Sequence, residues 1–94
     1  MKKFELGAVV NTVGISNLVR DGKTTIRELT DCLERHISGD WGNLCEEDKQ
    51  ANDDAVKNGD RILSAYEVGE DKTNIWIITE WDRSYTTILL PEEY

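Results

Sequence analysis

The residues best equipped for chemistry crowd into one stretch, Arg35-His36-Ile37-Ser38-Gly39-Asp40-Trp41-Gly42-Asn43-Leu44-Cys45-Glu46-Glu47-Asp48. It holds the single histidine, one of the two cysteines, a tryptophan flanked by Gly39 and Gly42, and a run of acids. Zinc accepts imidazole, thiolate and carboxylate, and Cys32 stands one helical turn before His36, with Asp40, Cys45 and Glu46 close behind. Yet the spacing C-x3-H-x8-C matches no zinc signature, so neither a metal nor another cofactor is expected. Acid–base catalysis needs titratable groups whose surroundings push their pKa values apart, and His36 with Asp40 and Asp48 is the set that could supply them. The serines at 16, 38, 64 and 84 lie in no nucleophile-elbow pattern, and no glycine-rich phosphate loop is present. A structural reading stands beside the catalytic one: His36 hydrogen-bonds Asp48 or Asn52 across a helix junction and holds Trp41 in place.

Recognition is the third kind of chemistry. Trp41 and Trp81 both fall in loops or turns beside charged residues, where an aromatic either caps the core or anchors a partner. Asp82 and Arg83, in the turn after Trp81, offer an ion pair of small energetic value.

These residues must be positioned by short elements. Glu5 to Asn11 alternates Leu6, Ala8 and Val10 with Glu5, Gly7 and Val9, which predicts a strand. Thr12 to Val19 predicts one or two helical turns, stopped at Asp21-Gly22. A helix from about Ile26 to Ile37 follows, with Thr25 and Glu28 forming a capping box in which the cap contributes about 1 kcal/mol. Its apolar stripe is Ile26, Leu29, Leu33 and Ile37, with Cys32 and His36 beside it. Gly39 ends it. A second helix is predicted from about Leu44, capped by Asn43, to Asn58, and Gly59 stops it. Its first turn carries Glu46, Glu47 and Asp48, where the helix dipole favours negative charge. Its buried face is thin: Leu44, Ala51, Ala55 and Val56.

Arg61 to Val68, Asn74 to Glu80 and Tyr85 to Leu90 carry the β-branched and aromatic content of strands, with turn residues at 69–72 and 81–84 between them. Ile75-Trp76-Ile77-Ile78 is apolar on both faces, as in a central strand covered on both sides. Pro91 ends the last strand. The expected fold is α+β, one domain over residues 1–94: a small antiparallel sheet, made of the C-terminal three-stranded meander plus the N-terminal strand, packed against two main helices. No role follows for Glu92-Glu93-Tyr94.

Charge narrows the function. The formal net charge is -8, and Glu28 to Asp60 alone holds ten acids against three bases. Such a field repels nucleic acid and attracts a basic protein surface. The same charge also serves solubility. No apolar run approaches the roughly 18 residues of a membrane span, and Met1-Lys2-Lys3-Phe4-Glu5 lacks the apolar stretch of a signal peptide. The expected address is therefore cytoplasmic, with Cys32 and Cys45 as reduced, partly buried thiols.

The residues H-I-S-G-D-W-G-N-L-C-E-E-D at 36 to 48, Asn52, G-D-R-I-L-S-A-Y at 59 to 66 and I-W-I-I-T-E-W-D-R-S-Y-T-T-I-L-L-P-E-E-Y at 75 to 94 carry a resemblance over nearly the whole chain. It resembles a family of small bacterial proteins borne on plasmids and other mobile elements and described as plasmid-related proteins, and is similar to an anti-CRISPR family that acts on CRISPR effector nucleases. The family has no established activity that the resemblance could bring to this chain. A methyltransferase role in restriction-modification would need a cofactor fold far larger than this chain. What it implies is a setting in which small proteins disarm host CRISPR or restriction nucleases. The leading expectation is a non-enzymatic inhibitor or adaptor, with Asp40, Trp41, Glu46, Glu47, Asp53, Asp54 and Trp81 as partner-binding residues. The alternatives are a small hydrolase or metal-dependent enzyme centred on His36, Asp40 and Asp48, and an antitoxin or regulator paired with a neighbouring gene product.

Overall fold

A computed structural model describes residues 1–94. The elements in chain order are β1 (Ala8–Asn11), α1 (Val13–Arg20), α2 (Ile26–Ile37), α3 (Glu46–Asn58), β2 (Ile62–Val68), β3 (Thr73–Thr79) and β4 (Tyr85–Leu89), followed by a short 3-10 turn at Pro91–Glu93. The fold is α+β, as the alternation and helical periods predict. β2, β3 and β4 form the antiparallel meander. The sheet as a whole is mixed rather than antiparallel, because β1 joins the free side of β4 in parallel, giving the order β1-β4-β3-β2.

Parity along the strands decides what the helices cover. Ile62, Ser64, Tyr66 and Val68 of β2 face the same way as Ile75, Ile77 and Thr79 of β3 and Thr86 and Ile88 of β4. All nine are buried. Ile15 of α1 and Leu29 and Cys32 of α2 pack into this face, while Phe4, Trp41, Ala55 and Ile62 form a smaller cluster beside α3. The opposite face of β3 is covered by the C-terminal residues: Tyr94 meets Trp76 edge-on at 5.6 Å and is held by the Arg61 guanidinium.

Several local expectations are revised. The N-terminal strand is only Ala8–Asn11, and all four of its residues are exposed. Ile26 lies outside the buried stripe of α2, which turns Leu29, Cys32 and His36 inward instead. Thr25 does cap α2 through the Glu28 amide (3.1 Å), but the Glu28 carboxylate leaves the box and accepts from the Thr24 hydroxyl (2.6 Å) and the Gly69 amide. α3 starts at Glu46 with Cys45 as its N-cap, two residues later than predicted. The reason is that residues 41–43 run beside β2: the Asn43 amide donates to the Ala65 carbonyl (2.8 Å) and the Ala65 amide to the Trp41 carbonyl (3.2 Å). On α3 the buried residues are Asn52 and Ala55, whereas Ala51 is exposed. Asn52 exchanges two hydrogen bonds with the backbone of Leu63 and so ties α3 to the start of β2.

Candidate functional site

His36 has no exposed surface. Its Nδ1 lies 2.5 Å from the Ser64 hydroxyl and its Nε2 lies 2.9 Å from the Thr79 hydroxyl. The chain continues from Thr79 to Thr86 (2.7 Å), and Thr86 donates to the Leu6 carbonyl (2.8 Å). Proton positions follow from that end point. A carbonyl only accepts, so the Thr86 proton is used there and Thr79 must donate to Thr86. Thr79 then accepts from His36 Nε2–H, which leaves Nδ1 bare to accept the Ser64 proton. Burial, reinforced by the nearby Arg83 charge, lowers the imidazole pKa to about 3 and keeps the ring neutral.

Ser64 beside a histidine has the composition of a nucleophile and its base. Its position denies that use, since Ser64, His36, Thr79 and Thr86 all lie in the core and no substrate atom can approach them. The expected partnership of His36 with Asp48 or Asn52 is not formed, because the strands offer hydroxyls at closer range. Nor do His36, Asp40 and Asp48 converge, since both ring nitrogens are engaged and Asp40 belongs to Arg35. No group of three or more His, Cys, Asp and Glu side chains converges on a metal position.

Asp40, Trp41 and Gly42 form a junction between α2, α3 and β2. The Asp40 carboxylate takes two bonds from Arg35 (2.7 and 3.3 Å) and one from the Gly42 amide (3.2 Å). The Arg35 hydrogen bond is the main reason that its carboxyl titrates below the usual range. Arg35 in turn lies over the Tyr66 ring at 4.6 Å, and the Tyr66 hydroxyl donates to the Asp40 carbonyl (2.6 Å). Trp41 is only 3 % exposed, stacks on Phe4 and donates from Nε1 to Asp53 (3.0 Å). Expected as a partner anchor, it is instead a core residue. The backbone bonds of residues 41–43 to Ala65 of β2 hold the segment against the sheet, with the indole in the core.

The remaining predicted residues divide clearly. Glu46, Glu47 and Asp54 are exposed on α3. Lys49 reaches Glu46 only at 3.8 Å, Asp54 accepts from the neutral Gln50, and Glu47 has no ion pair. Asp53 is exposed too, with one oxygen committed to Trp41. Trp81 is 66 % exposed in the β3–β4 turn. That turn is docked onto the end of α3 by Arg83, whose guanidinium donates to the carbonyls of Ala55, Asp60 and Glu80. The predicted Asp82–Arg83 ion pair is therefore absent: Asp82 accepts from the Ser84 amide instead. Arg83 occupies a helix C-terminus, where a cation is favoured.

Local reading missed the roles of Ser64, Thr79 and Thr86, together with the true partners of Arg83. Strand parity carried a signal for the first three, each alternating with isoleucines or Tyr66 on the inward face. For Arg83 no local signal existed.

The two thiols differ sharply. Cys45 is exposed, while Cys32 is buried and its pKa is pushed up to about 11, chiefly by burial. A thiol reagent such as DTNB is expected to titrate one equivalent promptly in native protein and the second only after denaturation. Two promptly reactive thiols would mean that the α2 face opens readily.

Comparison with protein-family models, with curated proteins and with solved structures found no match to this chain. No helix is long and apolar enough to cross a membrane.

Proposed function

We propose that this protein is a non-enzymatic inhibitor or adaptor that presents the acidic outer face of α3 to a basic, nucleic-acid-binding surface on a partner protein. The observation that carries the reading is that Glu46, Glu47 and Asp54 stand exposed on one helix without a close internal cation, Lys49 at 3.8 Å from Glu46 being the nearest approach. Glu47 and Asp54, seven residues apart, lie along the same line of the helix, about 10 Å from each other at 1.5 Å rise per residue. Asp53 adds a flanking charge, and Trp81 supplies an exposed aromatic in the β3–β4 turn, which Arg83 ties to the last turn of the helix. Asp40 and Trp41 drop out of the proposed contact surface because the fold itself uses them.

The physical rationale is that a groove built to hold a polyanion gains comparable electrostatic energy from clustered carboxylates. Such an encounter is fast at low salt and weak at high salt. CRISPR effector nucleases and restriction enzymes carry grooves of this kind, and the sequence resemblance to mobile-element proteins points the same way. A cytoplasmic address agrees with such a partner.

The test is inhibition of DNA cleavage by a panel of such nucleases, comparing wild type with a Glu46→Lys, Glu47→Lys, Asp54→Lys variant. All three positions are exposed, so folding should survive, which circular dichroism checks. Reversal is expected to weaken binding by about 100-fold or more, since like charges would then face each other. An inhibitor that works equally well after reversal would refute the reading.

A further inference from the structure

The two edges of the sheet are finished differently. At the β2 edge, residues 41–43 take up the backbone groups of Ala65. The β1 edge has no such cover: it is the terminal strand and all four residues are exposed. Ala8 donates to the Ser84 carbonyl and Thr12 to the Ile88 carbonyl. Successive residues of a strand turn their amides to opposite sides, so Val9 and Asn11 direct their N–H and C=O groups away from the sheet.

Edge strands are ordinarily guarded by lysine, proline or a bulge. β1 has none of these. From Leu6 to Val19 there is no charged residue at all, in a chain of which 32% is charged. The one carboxylate bonded to this segment, Glu93, is satisfied by Thr12, Gly14 and Leu90. Exposed apolar side chains gather here: Val9 (43%) and Val10 (46%) on β1, Val13 (75%) at the start of α1, and Tyr85 on β4 opposite Ala8. Absence of charge together with exposed apolar surface is the composition of an interface centre, and unpaired strand groups supply its directionality.

We propose that β1 is a self-association edge through which two copies of this chain pair antiparallel into one continuous sheet. Charge selects the second copy as occupant. For a chain of net charge -8, self-approach meets least repulsion through an uncharged surface. α3, which bears the free acids, packs against β2 at the opposite edge, while α1 packs against β1 and β4. Pairing through β1 therefore joins the uncharged segments and keeps the acidic helices at the far ends. A basic partner would be drawn to those ends instead. The register that uses both outward residues of each chain places the two-fold axis at Val10. Val9 of one copy then exchanges both backbone hydrogen bonds with Asn11 of the other, and the two Val10 side chains face each other. The interface is isologous and closes at two copies.

Sedimentation velocity over a rising concentration series tests this directly. Wild type is expected to shift to a species of twice the chain mass, and Val10→Lys to remain a folded monomer, because two lysines would meet at the axis. In a Cys45→Ser background, Val10→Cys should form an interchain disulfide under mild oxidation, whereas Val13→Cys should not. The cysteine pair keeps the test decisive if the lysine variant fails to fold. A wild type that stays monomeric throughout the series overturns the proposal, as does a dimer indifferent to Val10→Lys or a Val13→Cys crosslink as fast as that of Val10→Cys.

Discussion

Acidification from pH 7 toward pH 4 is expected to destabilise this protein steeply, beginning before any carboxylate titrates. The unfolded chain protonates its histidine near pH 6.5, while the folded imidazole stays neutral down to about 3. Across that window the unfolded state binds the extra proton, so stability rises with pH and falls as pH is lowered, at about 1.4 kcal/mol per pH unit once the unfolded histidine is fully protonated. Asp40 and Glu93 act lower on the scale. Their carboxyls are held below ordinary values of 3.8 and 4.5, first by the Arg35 and Thr12 side chains respectively, so their contribution is lost only below that range. Urea midpoints measured at half-unit steps from pH 7 to 4 would reveal the slope. His36→Gln should flatten it between pH 6.5 and 4.5, because the titrating group is gone. His36→Ala should cost about 3–5 kcal/mol at pH 7, combining a cavity with the loss of two buried hydrogen bonds. A domain of this size has a total stability of about 5–15 kcal/mol, so that single change brings it near the threshold of folding. A His36→Gln variant with an unchanged slope would show that another group controls the acid limb.

Gly42→Ala should be nearly as damaging although it adds a single methyl group. Gly42 sits at φ +76, and an added Cβ would lie 1.9 Å from the Ala65 carbonyl oxygen and 2.8 Å from the Tyr66 ring. Relief requires residues 41–43 to leave the β2 edge, which breaks the two hydrogen bonds with Ala65 and loosens the buried Trp41. The expected cost is about 3–4 kcal/mol, of which the left-handed conformation accounts for about 1. Gly22→Ala isolates that part, because Gly22 has φ +74 and open space around it. Denaturant unfolding of both variants, followed by Trp fluorescence, separates backbone strain from steric exclusion. Equal destabilisation of the two would mean that β2 yields readily and that close approach is not what demands glycine at position 42.

Both results concern the stretch that reads most like a reactive centre. In the folded protein Gly39 to Gly42 turns the chain out of α2, lays it along β2 and delivers it to α3. Its reactive side chains serve that path: His36 binds two strand hydroxyls, Asp40 restrains Arg35, and Trp41 fills the space over Phe4. The C-terminal residues, to which the sequence assigned no role, are structural as well. Glu93 supplies the missing negative charge at the N-terminus of α1, accepting from the Gly14 amide and the Thr12 hydroxyl, and Tyr94 covers Trp76.

How much was legible in the chain depended on the range of the interaction involved. Thr25 as a cap, Gly59 as a stop, the bounds of α2 and the three-stranded meander rest on contacts within a few residues or on side-chain periods, and periodicity records such contacts directly. The concentration of acids on α3 is likewise a property of sequence alone. Folding alone decided which carboxylates stay free, that β1 adds in parallel beside β4, and that His36 bonds to Ser64 and Thr79. Each of those pairings spans 28 residues or more or joins separate strands, and a polar side chain selects among distant partners only after apolar burial has brought them within about 3 Å.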